Sequence, residues 1–218
     1  MSLLRRIIIG IAIAAVSGGH LEAGGLREEP PSGPGVSIGS TSLPCVRRDA
    51  EGGVSTTPRS LMTKEGADVV VVIFVTSTCP IANATTPSIR RLHEAGRELG
   101  VDLVLVHPDP LVTPELASEH AGRRKLGMDV LLDADQRLAR ALGARVVPEA
   151  FVLQRTDDGW QIRYRGPVDD LYADVGRRRR AATTFHVHDA IRRIRAGLPI
   201  ERPVLKAHGC AIERMIGS

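Results

Sequence analysis

The stretch Val69-Val-Val-Val-Ile-Phe-Val-Thr-Ser-Thr-Cys79-Pro80-Ile-Ala-Asn83 decides the fold. Residues 69–75 are a continuous apolar run rich in β-branched residues, which is typical of a strand buried on both faces of an α/β sheet. A short polar turn leads to Cys79. Pro80 suits the first position of a helix, because an N–H would stay unpaired there in any case. We therefore predict a helix from Pro80 to about Leu99, with Cys79 at its N-cap.

The predicted position of Cys79 favours thiol redox chemistry. The dipole and the unpaired N–H groups at a helix N-terminus favour the thiolate, which is the reactive form of cysteine. The alternative is a buried structural cysteine, since free cysteines are among the most buried residues in proteins.

The composition limits the possible functions. Of the 218 residues, 43% are hydrophobic but only 3% are aromatic, so the core must consist mainly of Val, Leu, Ile and Ala. The formal net charge is +4, and part of it lies in four consecutive arginines at residues 177–180. No aromatic residues are interleaved with these arginines, so we expect no nucleic-acid partner. The run is interpreted as a solvated loop, the alternative being a cationic rim near Cys79.

Residues 1–25 are predicted to be a signal peptide or an N-terminal anchor. Arg5 and Arg6 precede an apolar segment at residues 7–16, and small residues follow. Ten apolar residues are too few to span a bilayer. We therefore expect an exported protein, periplasmic or secreted, with membrane contact only through an uncleaved leader. Disulfides persist in such a compartment.

The rest of the chain divides into three predicted parts. Residues 26–44 are rich in Gly, Pro and Ser and are expected to form a flexible linker. Residues 45–197 form one α/β domain, with Cys45 at its edge. Residues 198–218 form a C-terminal tail that carries Cys210.

Strands and helices alternate along the predicted domain, as expected for a central mixed sheet with helices on both faces. After the Cys79 helix we expect strands at residues 101–106, 129–132, 145–153 and 160–165, with Pro148 at an edge of the sheet or the start of a strand. We expect helices at residues 114–125, capped by Thr113; at 136–142; and before Gly197, capped by Thr183 or Thr184. Residues 169–182 show no period and are predicted to be a loop.

These features resemble the thioredoxin-fold superfamily, and more closely its redoxin branch of alkyl hydroperoxide reductase/thiol-specific antioxidant and extracytoplasmic thioredoxin-like proteins. The resemblance covers residues 45–197 and is closest to a subgroup of exported bacterial redoxin-domain proteins. The motifs that carry it are Cys79-Pro-Ile-Ala-Asn83, Pro148-Glu-Ala-Phe-Val152, Tyr164-Arg-Gly166 with Asp169-Asp170, and Gly209-Cys210.

The resemblance implies the site residues. Cys79 would be the redox cysteine, and Pro148 a cis-proline that places the Val147 backbone where an extended substrate peptide can pair with it. The candidate catalytic residues are Cys79, Cys210, Thr76 and Pro148. The candidate substrate-binding residues are Pro80, Asn83, Val147 and Glu149. Thr76 and Asn83 would shape the site by hydrogen bonds, and Glu149 would assist proton transfer at the sulfur.

The chain also departs from the family patterns. Ala82 stands where a Cys-x-x-Cys motif has its second cysteine. Val72 and Pro148 stand where a peroxiredoxin has its motif proline and its peroxide-activating arginine. An oxidised Cys79 therefore needs Cys210 or an external thiol as its resolving partner. The alternative is a permanent disulfide between Cys45 and Cys210.

The sequence is compatible with two functions. The first is an extracytoplasmic thiol-disulfide oxidoreductase or peroxiredoxin-like antioxidant, with no cofactor. Its partners would be an external thiol reductant, a disulfide-bearing protein or a peroxide. The second is a non-catalytic client-binding or copper-binding module, since thiolate and imidazole ligands suit copper. Its metal ligands would be Cys79, Cys210 and a histidine such as His107 or His208.

Overall fold

A computed structural model describes residues 33–61 and 67–214. Within these ranges, the main feature is an eight-stranded mixed sheet in the order β1-β9-β8-β4-β5-β6-β2-β3. The strands are β1 (Ser37–Ile38), β2 (Ser42–Arg48), β3 (Val54–Ser60), β4 (Val69–Phe74), β5 (Asp102–His107), β6 (Asp129–Leu132), β7 (Val146–Val147), β8 (Glu149–Thr156), β9 (Gly159–Gly166), β10 (Tyr172–Asp174), β11 (Arg177–Arg178) and β12 (Cys210–Ala211). The helices are α1 (Pro80–Glu98), α2 (Pro114–Arg124), α3 (Arg137–Leu142) and α4 (His186–Arg195).

The predicted strand at the start of the key stretch is the centre of the sheet. β4 pairs in parallel with β5 and antiparallel with β8, and all six of its residues are buried. Alternate side chains of β4 enter two hydrophobic clusters. Val70, Val72 and Phe74 pack with α3 and the first turn of α1. Val69 and Ile73 face the opposite cluster, which contains side chains of α1, α2 and α4. The predicted mixed sheet with helices on both faces is therefore confirmed.

The signals read from the sequence at the helix ends are mostly confirmed. Pro80 begins α1 after Cys79, and the Thr113 hydroxyl caps α2 by accepting a hydrogen bond from the Leu116 N–H. The predicted cap of the last helix is wrong. Thr183 and Thr184 donate backbone N–H groups to the Asp170 carboxylate, and α4 begins only after Phe185.

The prediction of a flexible linker at residues 26–44 is wrong for the last residues of that range. Ile38 in β1 and Leu43 in β2 are 8% and 2% exposed, and both belong to the core. Their burial explains why the segment is ordered despite its Gly and Ser content. Cys45, predicted at the edge of the domain, is instead fully buried in the core and pairs with Leu131 of β6.

The predicted loop at residues 169–182 contains a small hairpin of β10 and β11. The predicted leader, residues 1–25, and residues 26–32 of the predicted linker lie outside the described residues. Among the helices that the structure describes, none is long and apolar enough to cross a membrane.

The chain beyond α4 packs back onto the sheet. The Arg165 N–H donates to the Pro203 carbonyl at 2.9 Å, and the Leu205 N–H donates to the Arg165 carbonyl at 3.0 Å. Further on, β12 pairs antiparallel with β7, with Cys210 opposite Val147. The C-terminal segment is therefore a strand partner of the domain, and it lies where the sheet meets the N-terminus of α1.

Candidate active site

Cys79 lies at the N-terminus of α1, as its sequence context predicts. Its Sγ accepts a hydrogen bond from the Ala82 N–H at 3.5 Å, which is an N-cap contact. The thiol donates to the Val147 carbonyl oxygen at 3.2 Å. Only 1% of the residue is exposed. The sulfur is thus fixed between a helix terminus and the backbone of β7.

The segment beside this sulfur is held in a defined shape. The Val147–Pro148 peptide bond is cis, and Pro148 is buried. Val147 pairs with Cys210, and the Ile212 N–H donates to the Arg145 carbonyl at 2.9 Å, which extends the ladder by one bond. This ladder brings the C-terminal segment to the Cys79 sulfur.

Cys210 is the second thiol of the site. It is half-buried, and its thiol lies beside the Cys79 thiol. Burial, followed by the neighbouring Cys79 thiol, raises the pKa of Cys210 to about 11. Cys210 is therefore protonated at neutral pH, and two thiols in contact can be joined by oxidation. Cys45 lies in a different environment. Burial, followed by the Asp129 carboxylate, raises the pKa of its thiol. All three cysteines are free thiols in the structure.

Thr76 and Asn83 shape the loop before Cys79. The Thr76 and Thr78 hydroxyls are 3.3 Å apart. The Asn83 amide donates to the Ser77 carbonyl at 2.7 Å, and its oxygen lies 3.1 Å from His120 Nε2. These contacts tie the loop to α1 and α2. Pro80 is exposed and forms the first residue of α1.

A histidine pair that the sequence analysis did not find supports this loop. His120 Nδ1 lies 3.4 Å from His107 Nε2. Burial, and then the neighbouring His120, lowers the pKa of His107 to about 3. Burial followed by the charges of Arg124 and Arg123 also lowers the pKa of His120. Both rings are therefore neutral at pH 7, and no spacing rule could have related a strand end to a helix interior.

Glu149, a predicted site residue, forms a buried ion pair. Its carboxylate is 2.7 Å from the Arg165 guanidinium and accepts a hydrogen bond from the Arg145 N–H at 2.8 Å. The Glu149 and Arg165 side chains are only 4% and 12% exposed. A largely buried arginine thus engages the carboxylate, and a role of Glu149 in substrate binding or proton transfer at the sulfur stays a prediction.

A cleft of about 470 Å³ opens beside the two thiols. Its walls include Thr76, Val147, Cys210, the loop at residues 108–111 and the segment at residues 211–214. Cys210 lines this cleft, whereas Cys79 does not and is only 1% exposed. A molecule in the cleft can therefore contact the Cys210 side chain directly.

The predicted alternatives for metal and charge are not assembled around these thiols. Among the described residues, no group of three or more His, Cys, Asp or Glu side chains is placed to hold a metal ion. His208 Nδ1 instead lies 3.2 Å from a carboxylate oxygen of Asp174. Arg177 and Arg178 are exposed in the β10–β11 hairpin, as expected of a solvated segment.

Comparison with known proteins agrees with this geometry. The family model of the AhpC/TSA family matches residues 44–159, which is more than half of the chain. No curated protein matches the sequence. Similar solved structures include a hypothetical protein from Sinorhizobium meliloti (19% identity, 85% of this chain and 100% of that one, TM-score 0.62) and an uncharacterized conserved protein from Geobacillus kaustophilus (18%, 84% and 100%, TM-score 0.62).

A third similar structure is the peroxidoxin BcpB from Mycobacterium tuberculosis, with 17% identity, 76% of this chain and 98% of that one covered, and a TM-score of 0.52. At this level of identity, the likeness shows the fold alone. The family match and the shared fold lead to one conclusion: the chain belongs to the AhpC/TSA family and has a thioredoxin-like fold.

Proposed function

We propose that this protein is an exported thiol-disulfide oxidoreductase in which Cys79 and Cys210 alternate between a dithiol and a disulfide. The observation that carries the proposal is the pairing of β12 with β7, which places Cys210 against the Cys79 thiol. The signal-like residues 1–25 support export, and export provides a compartment in which a disulfide persists.

The reaction begins at Cys79. Its sulfur accepts a backbone N–H at the start of α1, and burial raises the pKa of the Cys210 thiol to about 11. The Cys79 thiolate attacks one sulfur of a substrate disulfide, and a mixed disulfide forms while the other substrate sulfur leaves as a thiolate. Cys210 then attacks the Cys79 sulfur as its proton passes to the departing substrate thiolate. The substrate gains two electrons, and the protein is left with a Cys79–Cys210 disulfide.

An external dithiol completes the cycle. Its thiolate attacks Cys210, which is the sulfur that faces the cleft, because Cys79 is 1% exposed. The Cys79 thiolate leaves at the helix N-terminus, where partial positive charge stabilises it. The second thiol of the reductant then attacks the mixed disulfide and releases Cys210.

Mass mapping of the full chain tests the proposal. The protein is oxidised with glutathione disulfide, alkylated and digested without reduction. We expect the loss of two hydrogen atoms and one crosslinked peptide pair that contains Cys79 and Cys210. Cys45→Ala is the matched control and should give the same crosslink, because Cys45 lies within the sheet. A crosslink that contains Cys45, or Cys210 alkylated while Cys79 is oxidised, would refute the proposal.

Single-cysteine variants test the order of the steps. Cys210→Ser should still attack a substrate disulfide but should accumulate as the Cys79 mixed disulfide. Cys79→Ser should give neither the mixed disulfide nor turnover. Turnover by Cys79→Ser equal to that of the wild type would show that the roles are assigned wrongly.

A further inference from the structure

Gly209 lies so close to the active-site backbone that no side chain fits there. A Cβ at this position would overlap the Val147 carbonyl oxygen and would lie 2.6 Å from the Val147 carbonyl carbon. It would also be 3.1 Å from the Pro148 nitrogen. Gly209 has no left-handed φ, so space alone demands a glycine. The residue directly before Cys210 therefore packs against the backbone of the cis-proline segment.

The rest of the C-terminal segment, residues 209–214, covers the site like an added strand. Gln136 Nε2 donates to the Glu213 carbonyl at 2.7 Å, and the Arg214 guanidinium donates to the Ala144 carbonyl at 2.6 Å. Ile212 is buried in the core cluster that also contains Cys79. The segment therefore occupies the edge of β7 and shields Cys79 from large molecules.

We infer that residues 209–214 occupy the docking surface of the substrate and are displaced by it. This inference rests on the proposed function and names the substrate class: an extended protein segment with a disulfide-bonded cysteine that directly follows a glycine. Such a segment can pair with the backbone of β7 only after residues 209–214 have left that edge. Addition of a peptide strand to a free sheet edge is a common mode of peptide recognition.

The choice of glycine follows from the register. A substrate cysteine must take the position of Cys210 to reach the Cys79 sulfur, so its preceding residue takes the position of Gly209. Any side chain there meets the Val147 carbonyl. The surface therefore selects Gly-Cys over other X-Cys segments by steric exclusion.

The tail then acts a second time in the same cycle. The Cys79 thiolate breaks the substrate disulfide and forms a mixed disulfide with the Gly-Cys segment. When residues 209–214 return to β7, Cys210 attacks the Cys79 sulfur and the substrate cysteine leaves as a thiolate that takes the Cys210 proton. Because tail and substrate compete for one strand edge, the step that resolves the mixed disulfide also expels the product.

Two synthetic peptides test the surface on the full-length Cys210→Ser chain. Both carry the sequence of residues 205–214 with the cysteine activated as its thionitrobenzoate disulfide, and the second has alanine in place of the glycine. Attack by Cys79 releases the coloured thiolate. We expect the glycine peptide to react at least about tenfold faster than the alanine peptide. The free aromatic disulfide reagent serves as the control for intrinsic Cys79 reactivity.

A Gly209→Ala variant tests the displacement separately. It should loosen the tail, so that Cys79 reacts faster with maleimide and the Cys79–Cys210 disulfide forms more slowly. Gly127→Ala is the matched control, because Gly127 has open space around it and no left-handed φ. It should behave as the wild type does.

The possible results separate the two proposals. Equal rates for the two peptides, or a Gly209→Ala chain whose Cys79 stays as shielded as in the wild type, would overturn the docking surface. The Cys79–Cys210 crosslink is mapped without any peptide, so its absence would overturn the proposed function instead. The peptide comparison needs no variant at residue 209, so it stands even where Gly209→Ala fails to fold.

Discussion

Replacing Glu149 with alanine should strongly destabilise the protein. The Glu149 carboxylate lies 2.7 Å from the Arg165 guanidinium and accepts the Arg145 N–H at 2.8 Å. Arg165 also donates to the Gly143 carbonyl at 2.9 Å, and its guanidinium lies 5.3 Å from the centre of the Phe151 ring. Removing the carboxylate takes away the anion that Glu149 holds against a largely buried guanidinium. We expect a loss of about 3–5 kcal/mol in the free energy of unfolding.

Two companion variants separate charge from packing. Glu149→Gln keeps an acceptor for the Arg145 N–H but removes the negative charge, so we expect a smaller loss of about 1–3 kcal/mol. The double change Glu149→Leu and Arg165→Met removes both charges, and it should be more stable than Glu149→Ala.

Urea unfolding at neutral pH measures these differences as shifts in midpoint at constant slope. A free energy of unfolding of Glu149→Ala within about 1 kcal/mol of the wild-type value would contradict this prediction. So would a double variant that is less stable than Glu149→Ala. Glu149→Gln should also leave the rate of Cys79 alkylation unchanged, because the carboxylate bonds to arginine residues and not to the sulfur.

Two further predictions concern buried charge. The unfolded chain protonates His107 below its ordinary pKa of 6.5, whereas the folded chain does so only near pH 3. The stability contributed by His107 should therefore be complete above pH 6.5 and be lost by up to about 1.4 kcal/mol per pH unit as the pH falls. Urea midpoints of the wild type and His107→Gln should converge as the pH falls, and parallel curves would contradict this. Arg59→Met removes the guanidinium that lies 2.5 Å from the buried Asp102 carboxylate and should cost about 3 kcal/mol. The control Arg47→Met breaks only an exposed pair and should cost less than about 1 kcal/mol in the same assay.

Local sequence determined the frame of this protein. A β-branched apolar run can be satisfied only in a buried strand, and Pro80 has a fixed φ and no N–H, which suits a helix start. Strand β4, helix α1 and the N-cap position of Cys79 were therefore predictable. The order of strands and helices, and hence the fold class, followed from the same short-range patterns.

Short-range sequence patterns did not reveal which single residues are buried. Glu149 looked like an exposed acid beside a proline, but its environment depends on Arg165 from a neighbouring strand. The Gly- and Ser-rich segment before Cys45 looked flexible, but Ile38 and Leu43 anchor it in the core. Composition reports the average tendency of a segment and cannot reveal which partner its few apolar or charged residues meet.

The tertiary structure alone decided the arrangement of the site. Sequence reasoning named Cys79 and Cys210 as candidates and left Cys45 as a rival partner. The pairing of β12 with β7 brings Cys210, rather than Cys45, to Cys79. The same pairing explains why residue 209 is a glycine, although no turn requires one there. Contacts of this kind join residues far apart in the chain, and their energy depends on packing and burial that appear only once the sheet has closed around them.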